Sequence, residues 1–253
     1  MKENKSLYVS AIALVVSLST LGYVVTNCCP KKATNSQATI EKVISEKPEI
    51  IVDAFKNYQV KMEQEASKKA QENIGKNLNR LENNPASPFL GNPNGTIKVI
   101  EFFDYNCGYC RKASKEVNAL ITNNPEVKVI FKEVNFVAPT SKYAAKASLA
   151  ANMQGVYEAL HNALLSSEGA LTETKIDELA VKSGADLEKL KTDMESEVVK
   201  SAIQDNLNLS QELQIRGVPS FIVNGVVFNG PANALQGAVD QIKAEADIEE
   251  VQE

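Results

Sequence analysis

Apolar residues recur every three to four positions between residues 39 and 82, at Ile40, Val43, Ile44, Ile51, Ala54, Phe55, Tyr58 and Met62. That period predicts amphipathic helix. Pro48 interrupts the pattern and fits the first turn of a second helix, where its missing N–H costs nothing. Beyond Met62 the apolar positions thin to Ile74, Leu78 and Leu81 in a stretch rich in Lys, Glu and Gln. Such a stripe has too little bulk for a core of its own and has to be covered. The downstream domain or the same segment of another subunit can cover it. We expect a subunit contact, the alternative being a solvated spacer.

The pattern breaks between Asn83 and Gly95, where Pro85, Pro88, Pro93, Gly91 and Gly95 mark loop and turn. Asn94-Gly95-Thr96 fits a glycosylation sequon and is expected to be a turn. Ile97 to Phe103 then reads as a buried strand, a helix follows from about Cys107 to Ile121, and Val127 to Phe131 reads as a second strand. Strand, helix and strand at this spacing form a βαβ unit with parallel strands. Residues 141–214 read as wholly helical, with Ser141 as a cap and Gly155, Gly169 and Gly184 between helices. After Pro219, Ser220–Val223 and Val226–Phe228 flank Asn224-Gly225, the signal of a hairpin with a type I′ turn. A last helix covers about Ala232 to Ala246. The class is therefore α/β with an all-helical insert.

The N-terminus adds a targeting element. Lys2 and Lys5 precede an apolar run from Leu7 to about Val25 that carries no charge. This reads as a signal peptide or a membrane anchor. Cys28 and Cys29 follow where a lipoprotein carries its acylated cysteine, though Asn27 stands where a small residue is expected. Each reading places the rest of the chain outside the cytoplasm, in the periplasm or cell envelope, where disulfides persist.

Composition narrows the chemistry. With 253 residues, 43% apolar and 23% charged, this is an ordinary globular chain. A net charge of -5 gives no reason to expect nucleic acid as a partner. There is one His, His161, so a catalytic site or zinc centre needing several histidines is excluded. The four cysteines are Cys28, Cys29, Cys107 and Cys110, too few and too clustered for a disulfide scaffold.

Cys107-Gly108-Tyr109-Cys110 opens the helix after the first strand. A thiol at a helix N-terminus meets unpaired N–H groups and the positive end of the dipole, which favour its thiolate. Cys107 would then attack a disulfide and Cys110, one turn on, would resolve the mixed disulfide. Zinc lacks two further ligands, and a four-residue loop gains little from a purely structural disulfide. We expect no metal and no cofactor.

Phe102-Phe103-Asp104-Tyr105-Asn106-Cys107-Gly108-Tyr109-Cys110 resembles the active-site segment of the DsbA-like thioredoxin-fold oxidoreductases. Arg216-Gly217-Val218-Pro219-Ser220-Phe221 resembles their second signature, a cis proline before a strand. The likeness covers about residues 88–245. It implies a thioredoxin-like fold, Cys107 as nucleophile and Cys110 as resolving thiol. Glu101 matches the buried acid of the active-site strand and implies help with proton transfer near Cys110. Gly108, Tyr109, Val218 and Pro219 match the substrate-binding positions, with the Val218 backbone free to pair with a substrate strand. His161 is expected to be an ordinary residue of the helical insert. Gly108-Tyr109 departs from the Pro-His of strongly oxidising members and is the pair of disulfide isomerases. The segment before the domain is similar to the N-terminal extension of the branch that forms dimers or trimers.

The domain organisation expected is a signal peptide or anchor over 1–29, a helical stalk for oligomerisation over 30–87, and a DsbA-like domain over 88–253 with its insert at about 138–214. The resemblance implies disulfide exchange in exported proteins, by isomerisation or oxidation, with a membrane redox partner and a homo-oligomer. The alternative is a non-catalytic, chaperone-like binding protein on the same scaffold, because fold alone does not bring catalysis.

Overall fold

The computed structural model describes residues 36–250, and the expected signal or anchor at 1–29, with the adjacent Cys28 and Cys29, lies outside them. No helix among the described residues is long and apolar enough to cross a membrane.

The chain divides into two units, the first ending at Glu63 and the second beginning at Gln64. In the first, α1 (Ser36–Glu46) stops before Pro48 and α2 (Glu49–Glu82) starts after it. The Ile51 N–H donates to the Pro48 carbonyl, so the proline sits just ahead of the new helix. Ile40, Val43, Ile44, Ile51, Phe55, Tyr58 and Met62 are all exposed.

The second unit contains a five-stranded sheet in the order β1-β3-β2-β4-β5. Its strands are β1 (Phe89–Gly91), β2 (Ile97–Phe103), β3 (Val127–Glu133), β4 (Ser220–Val223) and β5 (Val226–Phe228). β2 and β3 are parallel, joined by α3 (Gly108–Asn123), and the other pairings are antiparallel. The insert comprises α4 (Ser141–Met153), α5 (Tyr157–Ser166), α6 (Glu173–Lys182), α7 (Leu187–Met194) and α8 (Glu197–Glu212), and α9 (Leu235–Glu250) closes the fold. This is a thioredoxin-like fold with a helical insertion. The β4–β5 turn has positive φ at both Asn224 and Gly225, as a type I′ turn requires.

Period-two alternation gives the sheet two buried faces. Val99, Phe103, Val127, Val129 and Phe131 face the core shared with α3 and the insert. Ile100, Phe102, Ile130 and Ile222 face the other way and bury Ile74 and Leu81 of α2 together with Leu209 of α8. The last turns of α2, expected to belong to the stalk, are thus part of the second unit. Lys132 fastens them: it is fully buried, and its ammonium donates to the Arg80 carbonyl and to Ser87 Oγ, each at 2.7 Å. Burial lowers its pKa to about 8.

Two local expectations change. β1 lies in a stretch read as loop, where it pairs with the outer edge of β3. Thr140, not Ser141, takes the N-cap position of α4. The Ser141 hydroxyl instead accepts from the Ala138 N–H and donates to Asp104.

Candidate active site

β2 ends at Phe103 and the chain turns through Asp104, Tyr105 and Asn106 into α3. Asp104 holds that turn. Its Oδ1 accepts from the Asn106 N–H at 2.8 Å and from Ser141 Oγ at 2.8 Å, and its Oδ2 accepts from the Val137 N–H at 3.0 Å. Its carbonyl accepts from the Cys107 N–H. One buried carboxylate thus ties the turn to the loop after β3 and to the start of the insert. Arg111 adds a second tie, donating to the Tyr105 carbonyl at 3.0 Å and to the Ser167 carbonyl at 2.7 Å.

Cys107 is the N-cap of α3, with extended backbone, and its carbonyl accepts the first helical bond from Arg111. Its side chain caps nothing in the helix. Sγ instead lies 3.3 Å from the Val218 carbonyl oxygen. The antiparallel register of β2 with β4, Phe102 opposite Ser220, brings the two segments together. The Val218–Pro219 bond is cis. The first turn of α3 begins at Gly108, directly after Cys107.

Cys110, one turn on, is 1% exposed, against 7% for Cys107, and both are free thiols. Burial pushes the Cys110 thiol far up, with the Glu101 and Cys107 charges adding to the rise. Glu101 is buried on the same sheet face as Val99 and Phe103, and burial raises its carboxyl to about 8. The ionised form of such a carboxyl can take up the proton of a thiol that resists ionisation, and its protonated form can return one. Tyr109 is 75% exposed, and Gly108 has open space where a Cβ would stand. All seven residues expected at the site therefore gather around the start of α3 and the segment before β4. Among the described residues no group of three or more His, Cys, Asp or Glu is placed to hold a metal ion.

The same arrangement has relatives. The DSBA-like thioredoxin domain model matches residues 98–243. The chain belongs to the DsbA-like thioredoxin family. A solved thioredoxin-like oxidoreductase from Silicibacter pomeroyi DSS-3 is 41% identical, with TM-score 0.63, covering 66% of this chain and 97% of its own. Probable disulfide bond formation protein D of Bacillus anthracis is 26% identical over 165 residues, 60% of this chain and 76% of the relative. Na(+)/H(+) antiporter NhaA 3 of Salinispora tropica is 27% identical over 147 residues, 56% of this chain. The match spans only 22% of that antiporter's length.

Two features of this DsbA-like site were not found in the sequence. One is Asp104, which stood in the quoted motif without a role. The other is a buried polar chain beneath the turn. Tyr105 Oη and Tyr157 Oη lie 3.1 and 3.2 Å from His161 Nδ1, and Tyr157 Oη lies 3.0 Å from Glu133 Oε1. His161, taken as an ordinary insert residue, is buried against Phe103, Tyr105, Phe131 and Tyr157. Its partners come from three separate segments, so no local sequence signal marks them.

Proposed function

We propose that this chain exchanges disulfides in exported proteins outside the cytoplasm, through a mixed disulfide at Cys107. The observation that carries the reading is Cys107 Sγ at a helix N-terminus, 3.3 Å from the Val218 carbonyl oxygen, with Cys110 buried behind it. Cys107 as thiolate attacks a substrate disulfide, forming one S–S bond and releasing the substrate's second sulfur as thiolate. Glu101, in its ionised form, then accepts the Cys110 proton, the Cys110 thiolate attacks Cys107, and the substrate leaves reduced. Reversal of the same steps oxidises a substrate dithiol.

Isomerisation in an oligomer is the finer reading. Ile51, Phe55, Tyr58 and Met62 follow one another at spacings of 4, 3 and 4 and are all exposed on α2. That is the spacing of a coiled-coil seam, and a second copy of the segment is the partner such a seam fits. Several sites held around one substrate suit isomerisation. The Gly108-Tyr109 pair supports the same side, because a tyrosine beside Cys107 gives no charge to hold the thiolate in the reduced form.

The deciding experiment incubates the chain from residue 30 onward with a scrambled substrate protein in glutathione buffer, beside a fully reduced one. Reactivation of the scrambled form supports isomerase. Oxidation of the reduced form without unscrambling supports an oxidase working with a membrane redox partner. Substrate holding that survives loss of both Cys107 and Cys110, with neither activity, would replace the enzyme by a chaperone-like binder.

A further inference from the structure

Glu133 ends β3 and is 1% exposed. Its Oε1 meets Tyr157 Oη at 3.0 Å and Ser148 Oγ at 3.5 Å, and Asn206 donates to its main-chain oxygen. Its Oε2 has no hydrogen-bond partner. A carboxylate with one oxygen buried and unmatched is poorly stabilised, and burial raises this group to about 7. Tyr157 and Ser148 reach its side chain from α5 and α4, His161 stands behind Tyr157, and Tyr105 faces it from the active-site turn. Lys132 adjoins it on the opposite face of β3, and Glu101 is the other carboxyl acting on Tyr105.

His161 is neutral, because burial lowers its pKa to about 3. With its proton on Nε2, Nδ1 offers one lone pair, and two hydroxyls compete for it, Tyr105 at 3.1 Å and Tyr157 at 3.2 Å. Ionised Glu133 takes the Tyr157 hydrogen and leaves His161 to Tyr105. Protonated Glu133 donates to Tyr157, which turns its own hydrogen to His161 and displaces Tyr105. One proton enters from water, the Tyr157–His161 bond replaces the Tyr105–His161 bond, and Ser148 and Tyr157 are the other hydroxyls close to Tyr105. Tyr105 stands in the turn between Asp104 and Cys107, and its carbonyl holds Arg111.

We propose that Glu133 is a positioning residue for Cys107, acting through Tyr157 and His161 on Tyr105, whose ring is held or released according to whether Glu133 carries a proton. The inference rests on Cys107 being the reactive thiol.

The chain has a single histidine, so its imidazole nitrogen resonances report His161 alone. These are followed against pH in the full reduced chain. In parallel, Cys107 alkylation by iodoacetamide is read by mass spectrometry of its peptide and divided by the thiolate fraction from ultraviolet absorbance. Both readouts step at one shared pH near 7. The step in rate is about fivefold, the change given by one hydrogen bond of ordinary net strength. Glu133→Gln, which keeps an acceptor for Tyr157 but does not titrate, abolishes both steps. Tyr157→Phe breaks the relay and does the same, should the first variant fold poorly. Tyr105→Phe keeps the His161 step and loses the one at Cys107. A Cys107 step that persists in both Glu133→Gln and Tyr157→Phe, or no step in the parent chain, overturns the proposal. A Cys107 that iodoacetamide does not modify at any pH overturns the exchange reading itself, and this inference with it.

Discussion

Cys107 Sγ lies 3.3 Å from the carbonyl oxygen of Val218, a residue 111 positions further along the chain. The contact follows from strand register. β2 delivers the chain to Cys107 and β4 starts just after Pro219, and the two strands are antiparallel neighbours. Val218 and Pro219 are half-buried there.

That proximity makes Val218 a lever on the thiolate. Val218→Glu sets a carboxylate beside Cys107, and a like charge within a few ångströms disfavours ionisation. We expect the Cys107 alkylation rate at pH 7 to fall about tenfold, while Val218→Leu leaves it within about twofold.

Asp104 is expected to hold the turn more than to take part in chemistry. Asp104→Ala leaves the Val137 N–H and Asn106 N–H without their acceptor, together with the Ser141 hydroxyl. Thermal unfolding should show a loss of about 2–4 kcal/mol, the range for breaking a buried network with a charged acceptor. Asn in its place restores part of this, because one amide oxygen still accepts.

Glu101 sets a pH dependence whose sign is fixed. Its folded pKa of about 8 stands above the unfolded value of 4.5. The folded state therefore holds a proton that the unfolded chain has lost between those values. The stability linked to Glu101 is complete below pH 4.5 and declines as pH rises toward 8. Glu101→Gln should raise the melting temperature relative to the parent at pH 8, by the equivalent of about 4 kcal/mol, and change it little at pH 4. The same variant should slow resolution of mixed disulfides, since Cys110 loses the carboxylate that accepts its proton.

Removal of residues 36–63 tests the exposed seam. Light scattering should show the full chain as an oligomer and the shortened chain as a monomer. Scrambled-substrate reactivation should drop with the loss of assembly, while alkylation of Cys107 stays unchanged. A monomeric full chain would remove the support for an isomerase built on several sites.

Much of this was legible along the chain. The βαβ unit, the helical insert and the Asn224-Gly225 hairpin follow from periodicity and turn chemistry, and the two cysteines follow from their spacing at a helix start. β1 was not legible: Phe89-Leu90-Gly91 is three residues long among prolines, and pairing with β3 makes it a strand. The end of α2 looked like more stalk because Ile74 and Leu81 are sparse among polar residues. Their cover is the far face of the sheet, which only the fold brings to them. Glu133 lies two residues past the strand expected at Val127–Phe131, and His161 reads as a helix residue. Their chain of hydroxyls is assembled from β3, α5 and the active-site turn, and no window of sequence contains it.

The central claim is that disulfide exchange passes through Cys107, and trapping tests it most directly. The Cys110→Ala chain is mixed with a disulfide-bonded peptide, quenched with acid and read by mass spectrometry after proteolysis. The account predicts the peptide on Cys107 as a persistent adduct, absent in Cys107→Ser and released quickly by the parent chain. Full exchange by the Cys107→Ser chain, with no adduct at Cys107 in the Cys110→Ala chain, would contradict it.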